Sequence, residues 1–228
     1  MTKTKLAFTL AEVLVTLGII GVVAVLTVPN VVSGYKKKVY VAQLQKVYNQ
    51  ISNAVALLMV DEEVDNLNDT YLYCGDSEES ETCVERSGQF FKKYFKISKD
   101  CGIDGENREC LAPQYKLLNS DIQEGSYEEL HGYVVTLNSG ATIATRFFAS
   151  EQPLILFIDI NGKKAPNTYG RDVFLISVNF AGDIAETFSG YPNHTDEWPN
   201  NPERCLNNEQ YNSGCFSKIV NDGWKMDY

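Results

Sequence analysis

From Leu6 to Val32 the chain carries one charged side chain, Glu12, in a run that is otherwise uncharged and mostly apolar. At about 1.5 Å per residue, the roughly twenty residues from Phe8 to Val28 form a helix long enough to cross a hydrocarbon core of about 30 Å. A secretory signal has a shorter apolar region with a small-residue cleavage site beyond it, whereas this run passes directly into a second helical pattern. The segment is therefore expected to stay on the protein. Gly18, Gly21 and Ala24 recur at a helical spacing, which lets neighbouring helices approach closely, although small residues are also common in spanning helices. Glu12 is the anomaly. A carboxylate at the bilayer centre costs roughly 2.5–3.5 kcal/mol, so Glu12 either reaches an interface or has a partner. Lys3 and Lys5 precede the segment and Lys36, Lys37 and Lys38 follow it, so flanking positive charge does not set its orientation. The lysine run reads as an interfacial cluster or as a contact for acidic neighbours.

The six cysteines, Cys74, Cys83, Cys101, Cys110, Cys205 and Cys215, all lie beyond this segment, and their even number points to disulfides formed in an oxidising compartment. They fall as three neighbouring pairs, which favours Cys74–Cys83, Cys101–Cys110 and Cys205–Cys215; cross-connection of the first two pairs is the alternative. A zinc site would need tight cysteine pairs with histidine partners, and the two histidines, His131 and His194, are remote from any such pair. Thirty acidic against twenty basic residues give a formal charge of −10, which argues against a general nucleic-acid binder because phosphate contacts need clustered Lys and Arg.

Beyond Pro29, Leu44, Val47, Tyr48, Ile51, Ala54, Val55 and Leu58 recur every three or four residues, the mark of an amphipathic helix over about 35–60. With the apolar segment it would make one long helix, bent near Pro29 where a backbone donor is lost. Residues 61–85 are rich in Asp, Glu, Asn and Ser and read as a surface loop region. "QFFKKYFKI" suggests a short helix with Phe90, Phe91, Tyr94 and Phe95 on its apolar face. Strand character follows in "GYVVTLN" (132–138), "ATIATRFF" (141–148), "LILFIDI" (154–160) and "DVFLISVN" (172–179). The expected fold is α+β: a long N-terminal helix, membrane-spanning in its first half, packed in its second half against a C-terminal antiparallel sheet.

"FIDINGKKAPNTYGRDVF" (157–174) combines the turn signal Asn161-Gly162 with a following strand about ten residues away, so it reads as an ordered loop. Asp159, Asn161, Asn167 and Asp172 can satisfy backbone groups there, or Asp159, Asn161 and Asp172 can offer oxygen ligands to calcium. The pattern departs from an EF-hand, with Lys163 at the third ligand position and Gly170 where the closing Glu would stand. "SGYPNHTDEWPNNPERC" (189–205) reads as an exposed loop, with Tyr191, His194 and Trp198 either packed on the sheet or forming a contact surface. No hydrolase, P-loop, zinc-protease or dinucleotide motif is present in the sequence, and the adjacent Glu128 and Glu129 point in different directions in any regular element. The chain is not read as an enzyme.

"AFTLAE" followed by an unbroken apolar helix resembles the N-terminal signature of type IV pilins and type II secretion pseudopilins. The resemblance implies a leader at 1–7, a membrane-spanning helix at 8–34, and an amphipathic helix with a disulfide-containing head at 35–228. It implies cleavage by a prepilin peptidase between Ala7 and Phe8, N-methylation of Phe8, and an assembly role for Glu12, which would pair with the free amine of an adjacent subunit. Ala7 stands where Gly is commonest in that family. Pro29 matches a helix-breaking proline that many members carry, and the pair Cys205 and Cys215 matches their C-terminal disulfide. The loop at 157–174 and the ending "NDGWKMDY" resemble the C-terminal part of bacterial prepilin-like proteins. The partners implied are the peptidase, like or related pilin subunits, an assembly platform and membrane lipid, with no nucleic acid required. No cofactor is implied apart from the calcium that the loop residues suggest. The implied location is the inner membrane, single-pass with the head in the periplasm, and then a pilus or pseudopilus. The rival expectation is an inner-membrane-anchored extracytoplasmic binding protein or enzyme.

Overall fold

The computed structural model describes residues 9–74, 80–103, 109–122, 132–146, 154–186, 202–207 and 212–228. The chain divides into two compact units, Met1–Val39 and Tyr40–Tyr228, and the first helix, α1 (Leu10–Asp61), contributes to both.

In the first unit α1 continues through Pro29 without interruption of the helix. Its large apolar side chains face outward, from Leu10 at 80% exposure to Val32 at 42%. This is one helix long and apolar enough to cross a membrane, and none of its most apolar stretch is buried by the protein itself. Burial of such a surface has to come from lipid or from other chains. Its polar groups are satisfied locally: the Thr16 hydroxyl donates to the Glu12 and Val13 carbonyls, and the Thr27 hydroxyl to Val23, each at 2.9 Å.

In the second unit, the three-and-four spacing of α1 becomes a buried stripe of Val41, Leu44, Val47, Ile51, Ala54, Val55 and Leu58. α2 (Ser80–Tyr94) follows, then six strands: β1 (Ile97–Ile103), β2 (Tyr133–Leu137), β3 (Thr142–Arg146), β4 (Leu154–Asp159), β5 (Val173–Val178) and β6 (Ile184–Glu186). They pair antiparallel in sequence order, so the sheet is a simple meander. A short helix, α3 (Cys215–Asn221), comes near the C-terminus. The α+β architecture with a long N-terminal helix and an antiparallel sheet is as the sequence pattern requires.

β4 and β5 are buried at every position because both faces of the sheet are covered. Leu154, Leu156 and Ile158 join Ile176 and Val178 in the cluster that holds the α1 stripe, Phe90 and Phe91 of α2, and Phe216 and Ile219 of α3. The alternate residues, Phe157 with Val173 and Leu175, enter a second cluster with Leu111, Tyr115 and Tyr169. Period-two alternation thus feeds two cores, which explains why these strands are continuous apolar runs.

One expectation needs correction, and the sheet has two strands beyond the four expected. α2 begins at Ser80, so the last part of the segment read as loop, including Cys83, is helical. β1 was not anticipated because its sequence, ISKDCGI, is largely polar and exposed and shifts register twice against β2. β6 is three residues long and too short to carry a periodic signal. The end of "ATIATRFF", residues 147–148, lies outside the described residues.

Candidate functional site

Ala7 and Phe8 lie outside the described residues. Immediately after them, Thr9 and Glu12 form a reciprocal cap. The Thr9 N–H and hydroxyl donate to Glu12 Oε2 at 2.9 and 2.8 Å, and the Glu12 N–H donates to Thr9 Oγ1 at 3.2 Å. This is the capping-box arrangement, in which a Thr and a Glu three residues later satisfy each other's backbone donors at a helix start. The Thr-x-x-Glu spacing of this cap is present in the sequence at Thr9 and Glu12. Glu12 therefore has a local partner in the single chain.

The three disulfides are Cys74–Cys83, Cys101–Cys110 and Cys205–Cys215, the neighbouring pairs, and no cross-connection occurs between the first two. Cys205 and Cys215 sit deepest, at 0% and 1% exposure within the main core.

The loop between β4 and β5 brings Asp159, Asn161, Asn167 and Asp172 together as a hydrogen-bonded network. Asp172 Oδ1 accepts from the Thr168 N–H at 2.6 Å, and its Oδ2 accepts from the Asn167 N–H at 2.9 Å and the Asn161 amide Nδ2 at 3.1 Å. Asp159 Oδ1 accepts from the Asn161 N–H and Oδ2 from the Tyr115 hydroxyl, each at 3.2 Å. Tyr115 in turn accepts from the Ala112 N–H at 3.1 Å, which ties the loop to the second core. Both carboxyl groups are fully buried. Burial, reinforced by the neighbouring Asp172, pushes the Asp159 carboxyl up to about 8; burial also raises Asp172, opposed by the N–H groups of Thr168 and Asn167.

Hard oxygen donors of this kind suit calcium, but the network is already engaged internally. Three of the four carboxyl oxygens serve loop donors and the fourth, Asp159 Oδ2, serves the Tyr115 hydroxyl, while Asn161 turns its NH₂ rather than its oxygen toward Asp172. What remains unpartnered is Oδ1 of Asn161 and Oδ1 of Asn167, both buried. Two neutral amide oxygens fall short of the roughly six to eight ligands that calcium takes. Gly170, at the position of a closing Glu, has no room for any side chain: a Cβ there would lie 2.6 Å from Cys215 Sγ. Among the described residues no group of three or more His, Cys, Asp or Glu could hold a metal ion.

The residue that sequence reading missed is Glu186, at the end of β6. It is buried, its Oε2 accepts from the Ser217 N–H at 2.8 Å, and the N–H groups of Gly214 and Phe216 also point to it. A carboxylate thereby caps the first turn of α3, a segment with no side-chain cap of its own. Burial raises its carboxyl to about 7 against the opposing effect of those N–H groups. No local spacing could have revealed it, because Glu186 and Ser217 are far apart in the chain.

His131, Glu128, Glu129, Tyr191, His194 and Trp198 lie outside the described residues. The chain matches no family model, no curated protein and no solved structure.

Proposed function

We propose that the chain is a prepilin-like structural subunit, made with a short leader, held in the inner membrane by the first half of α1, and assembled into a type IV pilus or a type II secretion pseudopilus. The observation that carries this reading is the "AFTLAE" sequence joined to a helix whose apolar surface the protein leaves uncovered, on a chain that continues into a disulfide-stapled α+β head. Prepilin peptidase hydrolyses the amide bond between Ala7 and Phe8, and Phe8 becomes the N-methylated terminus. Insertion among like helices then buries the apolar surface that would otherwise need lipid.

Glu12 acts in assembly, not in catalysis. In the single chain its carboxylate rests on Thr9, three residues away, which holds the charge at the helix entry. In the filament it meets the new amine on a neighbour's Phe8, and an out-of-register neighbour would leave both charges desolvated and unpaired. The head faces the periplasm, where its cysteines oxidise.

N-terminal mass spectrometry of protein from cells tests the reading: a methylated Phe8 supports it, and an intact Met1 in a peptidase-positive host removes it. Deletion scored for secretion, twitching and transformation separates pseudopilus from pilus.

A further inference from the structure

Three consecutive lysines, Lys36, Lys37 and Lys38, follow the apolar stretch of α1, and the helix runs through them without a break. Successive helical residues point about 100° apart, so the three cover more than half of the helix circumference. Tyr35, 68% exposed, lies on the remaining side. Lys36 and Lys38 are exposed and Lys37 is half-buried. Among the described residues none of the three joins an ion pair. The chain has no Asp or Glu between Glu12 and Asp61, so α1 brings no carboxylate near them. The spacing of charge along the helix points to what does. Lys36 lies about 36 Å from Glu12 at about 1.5 Å per residue. A hydrocarbon core is about 30 Å thick, and about 40–45 Å with its headgroup layers, so the two charges fit the headgroup layers on opposite sides of one bilayer. A shift of one turn, about 5.4 Å, would draw one end into hydrocarbon. A protein docked from one side would meet only part of this lysine ring, whereas a headgroup layer surrounds the helix and reaches all of it.

We propose that Lys36, Lys37 and Lys38 form a girdle that binds the phosphates of anionic lipid headgroups, in the leaflet where the apolar segment ends. Each lysine lays its stem along the helix and brings its ammonium to a headgroup phosphate. The Tyr35 ring takes the interfacial position beside them. With its phosphates bound, the girdle fixes the depth of α1 and keeps Glu12, capped by Thr9, at the opposite face of the bilayer. The binding rests on α1 being held in a membrane, as proposed above, and on neither processing nor filament assembly.

The test reconstitutes the full chain into phosphatidylcholine vesicles, with flotation to score insertion and spin-labelled phosphatidylglycerol or phosphatidylcholine as the probe. The parent should associate with phosphatidylglycerol at least about fivefold more strongly than with phosphatidylcholine. Lys36→Gln/Lys37→Gln/Lys38→Gln should abolish that preference, and Lys163→Gln/Lys164→Gln, on two exposed lysines of the β4–β5 loop, should keep it. Raising salt to about 1 M should weaken the preference of the parent itself, a reading that depends on no variant. Equal association of the two lipids with the parent, or a preference that survives the triple substitution, overturns the proposal. Loss of the preference on adding inorganic phosphate at matched ionic strength also overturns it, since the lysines would then hold free phosphate. A triple variant whose only change is weaker self-association in phosphatidylcholine vesicles assigns the lysines to a second copy of the chain and overturns it too. A chain that does not float with the vesicles removes the membrane-held reading and the girdle together, whereas one that floats without lipid preference removes the girdle alone.

Discussion

The carboxylate of Glu186 accepts a hydrogen bond from the backbone N–H of Ser217 at 2.8 Å, joining the last strand of the sheet to the first turn of α3. Its folded value, raised to about 7, means that the folded head keeps a proton which the unfolded chain gives up above the ordinary value of 4.5. The stabilisation from this retained proton is complete below about pH 4.5 and is lost as pH rises through 7. Asp159, raised to about 8 from 3.8, acts in the same direction. The melting temperature of the full chain in detergent should therefore fall between pH 5 and pH 8. Glu186→Gln, which keeps an acceptor for Ser217 without the titrating proton, should flatten part of that slope; a slope identical to the parent's would contradict the assignment.

Asp172 takes hydrogen bonds from two backbone N–H groups and the Asn161 amide. Asp172→Ala leaves those donors in the loop without an acceptor and should destabilise the head by roughly 2–4 kcal/mol, read from urea denaturation. Because the network is closed by its own donors, EGTA should leave the melting temperature of the parent unchanged. A rise on adding calcium would mean that the Asn161 and Asn167 oxygens reach an ion.

Ile51, at 0% exposure on the α1 stripe, sits in the main core with residues of the sheet. Ile51→Ala should cost about 2–5 kcal/mol in the same denaturation experiment, through lost burial and a residual cavity. Leu57→Ala, on the exposed side of the same helix, should change stability by less than about 0.5 kcal/mol.

Glu12 caps the helix with Thr9, and the proposed function adds a role in assembly; substitutions separate the two. Glu12→Ala should leave membrane insertion intact and reduce incorporation into filaments, measured by shearing and fractionation. Thr9→Val removes the hydroxyl that Glu12 accepts from and the oxygen that receives the Glu12 N–H, but keeps the carboxylate, so incorporation should persist. If Thr9→Val were as defective as Glu12→Ala, capping rather than register would be the function of the pair.

Much of the fold was legible where a single element carries its own signal. The stripe from Leu44 to Leu58 repeats at the helical period, and the cysteines pair with their nearest neighbours along the chain. β1 was not legible because pairing with β2, rather than its own residues, makes it a strand. The second core was hidden because an apolar run does not say which alternate residues face which layer. In the candidate site, the sequence marked Asp159, Asn161, Asn167 and Asp172 as groups able to satisfy the loop's own backbone, and both aspartates accept from its N–H groups; it did not show that the Tyr115 hydroxyl, from outside the loop, joins them.

The sequence alone determined the apolar first half of α1, the amphipathic second half and the local cap of Glu12 by Thr9, because these depend on neighbours three or four residues away. Tertiary structure decided how the six strands cover two cores, why position 170 must lack a side chain, and how Glu186 comes to hold α3. Those relations join residues distant along the chain, and they exist only once burial has removed water as the competing partner.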